Sequence, residues 1–272
     1  METSEMLDLG FSNALLYSAL RLSVVFTLRD GSSASGSGTG FVVENGGAGY
    51  FLATARHVVD PRLAIPKHVG AQLHEVGVSG WNHLAEEEEH WIEFVPVAAP
   101  IFPAAGDLDI AVIPLSPLAT ASTFTGALPL HWIRREMLAS EGEFGADVRA
   151  GDFIASPGYA SLPGVTSDRP VLLTGLIAAD PRHPVTVERA AGDARAVLYQ
   201  SLSRSGLSGA PVFATQRGLS LGGGLKGPPH RPLRLIGVNT GSFRDAQEQP
   251  LQFSYFTRSC DLLDLLDSCA PG

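Results

Sequence analysis

The stretch "SRSGLSGAPVF", residues 203–213, places a serine between two glycines directly before an apolar run. Gly206 can adopt the positive φ that turns its own N–H toward the same point as the N–H of Ser208. Gly209 leaves room beside the Ser208 hydroxyl, and Pro211 begins an outgoing strand. Convergent backbone N–H groups beside a hydroxyl form an oxyanion hole. The stretch therefore predicts Ser208 as a nucleophile, with the N–H groups of Gly206 and Ser208 as oxyanion donors.

A serine hydroxyl is a weak nucleophile unless a neutral imidazole accepts its proton and a carboxylate orients that imidazole. The alternative interpretation of Ser208 is an ordinary Gly-Ser turn, whereas the nearby Ser203 and Ser205 lack the flanking glycines. The segment "LATARHVVD", residues 52–60, supplies a histidine, His57, that follows a predicted strand. The chain thus offers a base as well as a nucleophile.

The acid is ambiguous from the residues alone. The segment "DLDIAVIPL", residues 107–115, carries Asp107 and Asp109. Residues i and i+2 of a strand point to the same face, so either carboxylate could reach the histidine.

Together these segments resemble the trypsin-like (chymotrypsin-fold) serine peptidases over about residues 21–268. "GLSGAP" is similar to their Gly-Asp-Ser-Gly-Gly-Pro motif, "LATARHVVD" to Thr-Ala-x-His, and "DLDIAVIPL" to the strand that carries their acid. The resemblance implies a catalytic triad of His57, Asp109 and Ser208, in the family's order, with Asp107 as a turn residue. It also implies peptide or protein substrates.

The pattern of short apolar runs separated by 30 glycines and 19 prolines is typical of an all-β protein. The resemblance makes this two antiparallel six-stranded β-barrels, preceded by a short N-terminal helix. A hairpin is predicted in "VVENGGAGYFLAT" around its Asn-Gly-Gly turn. The helical spacing of the leucines in "SCDLLDLLDSC" predicts a C-terminal helix whose leucine stripe packs on the second barrel. We expect a helical segment over 1–20, a first barrel over 21–130, and a second barrel with the terminal helix over 131–272, together one peptidase domain.

Charge and cysteine content narrow the partners and the compartment. The net charge of −9 argues against nucleic acid as the main partner, because no basic stripe is present to release counterions. The only two cysteines, Cys260 and Cys269, form no disulfide framework, and the acidic N-terminus is unlike a secretory signal. We expect a soluble cytoplasmic protein with no cofactor, no metal and no membrane partner; its oligomeric state is open.

The departures from the family motif carry further expectations. Leu207 stands where the animal digestive members of the family have the Asp that pairs with a newly cut N-terminus, so activation by such a cut is disfavoured. In this the chain resembles bacterial HtrA-like peptidases, although we expect no PDZ-like domain and no regulation by one. By the family pattern Leu202 forms an apolar floor of the primary specificity pocket, which disfavours Arg or Lys there. Thr240, Gly241 and Ser242 supply the edge on which substrate pairs as a strand.

The function expected from these observations is that of a serine endopeptidase acting through an acyl-enzyme. The alternative is a catalytically inactive peptide-binding module on the same fold, since fold does not fix function. An esterase with the same triad is a third possibility.

Overall fold

A computed structural model of the chain describes residues 11–84, 88–115, 131–162, 164, 168–188, 193–201, 204–218, 230–245, 247 and 250–269. The strands within these ranges form two mainly antiparallel sheets, one from each half of the chain. None of the helices within these ranges is long and apolar enough to span a membrane.

The first sheet contains strands β1 to β7. Their bounds are Ala19–Thr27 (β1), Ser33–Glu44 (β2), Tyr50–Thr54 (β3), Gln72–Leu84 (β4), Glu88–Phe94 (β5), Ala111–Pro114 (β6) and Ile133–Arg134 (β7). Six of them lie in the order β5-β4-β1-β2-β3-β6, while β7 adds to β2 in parallel. Along β1 the alternate residues Leu20, Leu22, Val24 and Phe26 are buried, as the two-residue period of a strand requires for one face turned to a core.

The second sheet contains strands β8 to β14. Their bounds are Phe153–Gly158 (β8), Val171–Ile177 (β9), Val185–Val187 (β10), Ala194–Gln200 (β11), Pro211–Ala214 (β12), Arg234–Arg244 (β13) and Pro250–Arg258 (β14). The strands β11, β14, β13, β12, β8 and β9 pair in that order, and β9 pairs back to β11 through Ile177 and Tyr199. This sheet therefore closes into a six-stranded barrel, and β10 adds to β11 outside the ring.

In the part of the chain that the structure describes, five α-helices connect and cover the sheets: Asn13–Leu16 (α1), Arg56–Val59 (α2), Pro61–Ala64 (α3), Glu141–Asp147 (α4) and Ser259–Ser268 (α5). The leucine stripe predicted in the terminal helix is buried, with Leu262 and Leu266 fully inaccessible to solvent. Its leucines belong to one buried cluster with Phe213 and Leu235 of the second barrel and Phe41 of the first. Helix α5 also accepts a hydrogen bond from Asn45 Nδ2 at the Leu266 carbonyl, so it contacts both barrels, whereas the sequence predicted packing on the second barrel.

The all-β fold of two barrels with terminal helices is confirmed. The hairpin predicted in "VVENGGAGYFLAT" is present, because β2 and β3 pair from Gly40 to Tyr50 around the Asn-Gly-Gly turn. Within the expected N-terminal segment, residues 1–10 lie outside the described ranges and α1 is one turn long, since the apolar Ala19 and Leu20 already enter β1. The boundaries at residues 20 and 130 stay predictions, and β7 of the first sheet lies after the second of them.

Candidate active site

The end of β3 and the start of β6 bring His57 and Asp109 to the same end of the first sheet. The two strands are antiparallel neighbours, with Thr54 opposite Ala111. Residues that follow β3 must therefore lie beside residues that precede β6. His57 follows in helix α2, and Asp109 precedes β6 by two residues.

Asp109 holds His57 by two hydrogen bonds. Its Oδ2 lies 2.8 Å from His57 Nδ1, and its Oδ1 accepts the His57 backbone N–H at 2.9 Å. The Asp109 side chain is fully buried, whereas 28% of the His57 side chain is exposed. Since an ionised carboxylate can only accept, Nδ1 carries the proton and the lone pair of Nε2 faces outward.

Asp107, the competing acid, lies elsewhere. Its side chain is 47% exposed and its Oδ2 is 3.8 Å from Arg195 Nε of the second barrel. The shared-face argument does not apply, because β6 begins only at Ala111 and both acids lie in the preceding loop.

Ser208 lies on a turn between β11 and β12 that only glycine can complete on either side. Gly206 has a φ of 91° and Gly209 a φ of 90°. A Cβ on Gly206 would overlap the Tyr159 carbonyl oxygen, and one on Gly209 would overlap the carbonyl of Thr39 and the hydroxyl of Thr54. The half-buried Ser208 is thereby held in a tight turn pressed against both barrels.

Thr39 of β2 joins this turn to the first barrel. Its N–H donates to the Ser208 carbonyl at 2.8 Å, and its hydroxyl donates to the Gly206 carbonyl at 2.7 Å. The same hydroxyl accepts the N–H of Tyr159 at 3.1 Å, while the Thr39 carbonyl accepts the Thr54 hydroxyl at 2.8 Å. Thr39 is fully buried. These bonds fix the Ser208 turn next to the end of β3, where helix α2, which contains His57, begins.

Four N–H groups of the described residues 204–210 donate to no acceptor, those of Arg204, Ser205, Gly206 and Ser208, whereas the other three donate to backbone carbonyls. Arg204 and Ser205 are exposed, so Gly206 and Ser208 carry the two free donors on residues that are at least half-buried. On the opposite side, the carbonyl of Ser205 accepts the Ser161 N–H at 2.8 Å. The two free donors are those that the sequence assigned to an oxyanion hole.

The side chain of Leu207 is directed into the protein and only 1% exposed. It lies against Gly158 of β8, where a Cβ would approach the leucine Cδ2 to 2.6 Å. The next residue of the chain, Tyr159, is also buried, and burial raises the pKa of its phenol to about 12. The Leu207 side chain is therefore buried against the backbone of β8, and it carries no carboxylate with which an amino terminus could pair.

The residues expected to bind substrate lie on β13, apart from Leu202, which falls outside the described residues. Thr240 is buried, and Gly241 and Ser242 pair with Tyr255 and Ser254 of β14. On its other edge β13 pairs with β12 only as far as Val238. In the part of the chain that the structure describes, no strand covers that edge beyond Asn239, as the addition of a substrate strand requires.

Sequence reasoning did not single out Thr39 or Asn239. Asn239 is fully buried and its side-chain Nδ2 donates to the Leu207 carbonyl at 2.9 Å. It lies in "GVNTGSF", the segment already chosen for substrate binding, directly before Thr240. A buried polar residue next to a predicted binding edge is the signal that could have marked it. Among the described residues, no group of three or more His, Cys, Asp or Glu could hold a metal ion.

Gly209→Ala tests the packing of the turn. An alanine there takes on left-handed strain of about 1–2 kcal/mol and overpacking of about 1–3 kcal/mol. We expect the free energy of unfolding to fall by about 2–5 kcal/mol, measured as a lower urea midpoint. Gly142→Ala in α4 is the control, since nothing lies within 4 Å of its Cβ position. An unchanged midpoint for Gly209→Ala would contradict the described turn.

Comparison with known proteins gives one family match. The family model of the trypsin-like peptidase domain matches residues 38–222. None of the curated proteins matches the chain.

Several of the solved structures that resemble this chain are proteases. An HtrA-type protease with a decapeptide matches at a TM-score of 0.52 and 14% identity over 94% of this chain, which spans 65% of that protein. Protease Anisep from Arthrobacter nicotinovorans matches at 0.53 and 15% identity, over 93% of this chain and 95% of its own. HL collagenase matches at 0.53 and 14% identity, over 95% of both chains. At these identities the likeness shows the fold.

Proposed function

The chain belongs to the family of trypsin-like peptidase domains, and from that premise we propose that it is a serine endopeptidase with the triad His57, Asp109 and Ser208. The observation that carries the proposal is the hydrogen bonding of buried Asp109 to both His57 N–H and His57 Nδ1. A carboxylate without exposure to solvent is stabilised by such bonds, and they commit the imidazole to the tautomer that a general base needs.

The proposed reaction begins with attack of Ser208 Oγ on a peptide carbonyl while His57 Nε2 takes the hydroxyl proton. The carbonyl oxygen becomes an oxyanion, to which the free N–H groups of Gly206 and Ser208 donate. His57 then gives the proton to the leaving amine, and the acyl-enzyme forms. Water attacks that ester by the same route in reverse, with His57 again as base, and releases Ser208.

The substrate is proposed to be a protein or peptide segment in extended conformation. It would add to the uncovered edge of β13 beside Thr240, Gly241 and Ser242. The apolar residue Leu202 is proposed to favour a small or medium apolar side chain before the scissile bond, because a buried Arg or Lys would lack a counter-charge. Action in the cytoplasm, activity without a cut N-terminus, and the absence of a cofactor remain predictions.

A fluorophosphonate probe tests the proposal, because it phosphonylates only a serine activated by a base and an oxyanion hole, with loss of fluoride. We expect the native full-length protein to gain one adduct, mapped by mass spectrometry to Ser208, and the urea-denatured protein to gain none. Acidification should slow labelling, since protonation of Nε2 removes the acceptor.

The alternatives give different outcomes. An inactive peptide-binding module would remain unlabelled, and labelling at a different serine would contradict the assignment of Ser208. An esterase would be labelled at Ser208 and cleave p-nitrophenyl esters, yet leave a mixed peptide library intact. Cleavage of the library distinguishes the endopeptidase.

A further inference from the structure

We propose that Asn239 is a positioning residue that aims the Ser208 N–H at the oxyanion, an inference that rests on the proposed function. The side-chain amide of Asn239 contacts the carbonyl of the peptide unit that carries the Ser208 N–H. Its Nδ2 donates to the Leu207 carbonyl at 2.9 Å. It touches no reacting atom and acts through the backbone of the turn.

The planarity of the peptide bond transmits this contact. The Leu207 carbonyl and the Ser208 N–H belong to one trans peptide, in which the two groups point in opposite directions. Holding the carbonyl toward Asn239 therefore holds the N–H away from it, toward the space in front of the turn. Because oxyanion stabilisation depends on donors placed in advance, the direction of this one N–H affects the rate.

The orientation of the Asn239 amide is decided by its neighbours. The Leu207 carbonyl can only accept, so the NH₂ group must face it, and the Tyr199 hydroxyl donates to Oδ1 from the other side at 3.0 Å. Both Asn239 and Tyr199 are fully buried. Rotating the amide would leave buried polar groups mismatched, which is costly away from water.

The backbone of Asn239 is fixed to the same turn. Its carbonyl accepts the Gly209 N–H at 2.7 Å, and its N–H donates to the Ala210 carbonyl at 2.8 Å. The amide is therefore a short, rigid extension of β13 that reaches the peptide next to the nucleophile. This arrangement needs no charge on residue 207, where the apolar Leu207 side chain can make no ion pair.

Asn239→Asp is the variant that tests the proposal. It keeps the size of the side chain but replaces the NH₂ donor with an oxygen that repels the Leu207 carbonyl. Because loss of a full oxyanion donor costs about 10²–10³ in rate, misdirection of one donor is expected to lower the fluorophosphonate labelling rate by about 10- to 100-fold. Tyr199→Phe, which removes only the support of the amide, is expected to lower it by about 3- to 10-fold.

Separate measurement of kcat and KM distinguishes a positioning role of Asn239 from a general structural defect, because KM reports ground-state binding and kcat reports transition-state stabilisation. With a p-nitrophenyl ester, we expect kcat of Asn239→Asp to fall while KM changes by less than about 3-fold. The affinity for a peptide aldehyde, whose hemiacetal carries an oxyanion, should fall by the same factor as kcat/KM. Ser259→Ala is the matched control: it removes a buried hydroxyl that donates to Ala139 at 2.8 Å in the second barrel, away from the turn.

Each outcome decides the proposal. Equal labelling rates for wild type and Asn239→Asp would overturn it, as would a rise in KM with kcat unchanged, or a loss in Ser259→Ala of the same size. If Asn239→Asp does not fold, Tyr199→Phe and Asn239→Ser carry the same measurements. An unlabelled wild-type protein would overturn the proposed function and this inference together, whereas a labelled wild type with unaffected variants would overturn this inference alone.

Discussion

Ser208→Ala is expected to lower peptide hydrolysis by about 10⁶-fold and to abolish fluorophosphonate labelling, because the base and oxyanion donors then have no nucleophile to serve. The change removes one hydroxyl from a half-buried residue. The backbone bond from Thr39 to the residue 208 carbonyl is kept, so the urea midpoint should remain that of the wild type.

The measurement is kcat/KM with a peptide substrate from the library, together with the labelling rate. Ser23→Ala, which changes an exposed serine of β1, is the control and should behave as wild type. Residual labelling of Ser208→Ala at another serine, at the wild-type rate, would show that the nucleophile lies elsewhere.

Asp109→Asn is expected to lower kcat/KM by about 10⁴-fold with little loss of stability. The two oxygens of Asp109 accept from His57 N–H and from Nδ1. An asparagine has one oxygen, and if it accepts the backbone N–H, its NH₂ faces Nδ1. Nδ1 must then accept, the proton moves to Nε2, and the imidazole can no longer act as a base.

Asp107→Asn is the matched control. It makes the same chemical change two residues earlier, on a side chain that is 47% exposed and directed at Arg195. We expect its kcat/KM to stay within about 2-fold of the wild type, since exposed ion pairs contribute little. Equal losses in both variants, or more than a tenth of the activity remaining in Asp109→Asn, would contradict the assigned acid.

Local sequence signals were sufficient for much of the fold. The alternation in β1 and the Asn-Gly-Gly turn depend on neighbours in the chain, so they can be read from short windows. Local signals do not decide where the N-terminal helix ends, because Ala19 and Leu20 suit a helix as well as a strand. Pairing of β1 with β2 and β4 decides between them, and that is a long-range effect.

Residues of the proposed site that lie within motifs could be predicted from the sequence, whereas residues that join the site through long-range contacts could not. The motifs placed His57 and Ser208 in recognisable surroundings, but the choice between two acids needed the family pattern, and their surroundings became visible only in the structure. Tyr199 and Asn239 are 40 residues apart and meet because β11 and β13 both pair with β14. No local pattern marks such a pair. From the sequence alone, a polar residue within a strand is expected to face solvent, and only the assembled barrel shows that it is buried.

Thr39 carries a consequence for how the molecule responds to stress. Three of its hydrogen bonds join the first barrel to Tyr159, Gly206 and Ser208 of the second, whereas the bond from Thr54 lies within the first barrel. A partial opening that parted the barrels would break those three bonds before either barrel lost its own sheet, and sub-global openings of this kind cost less than complete unfolding. Heat or denaturant would then abolish the proposed activity while most of the chain remained folded, and cooling would restore that activity without refolding of either sheet.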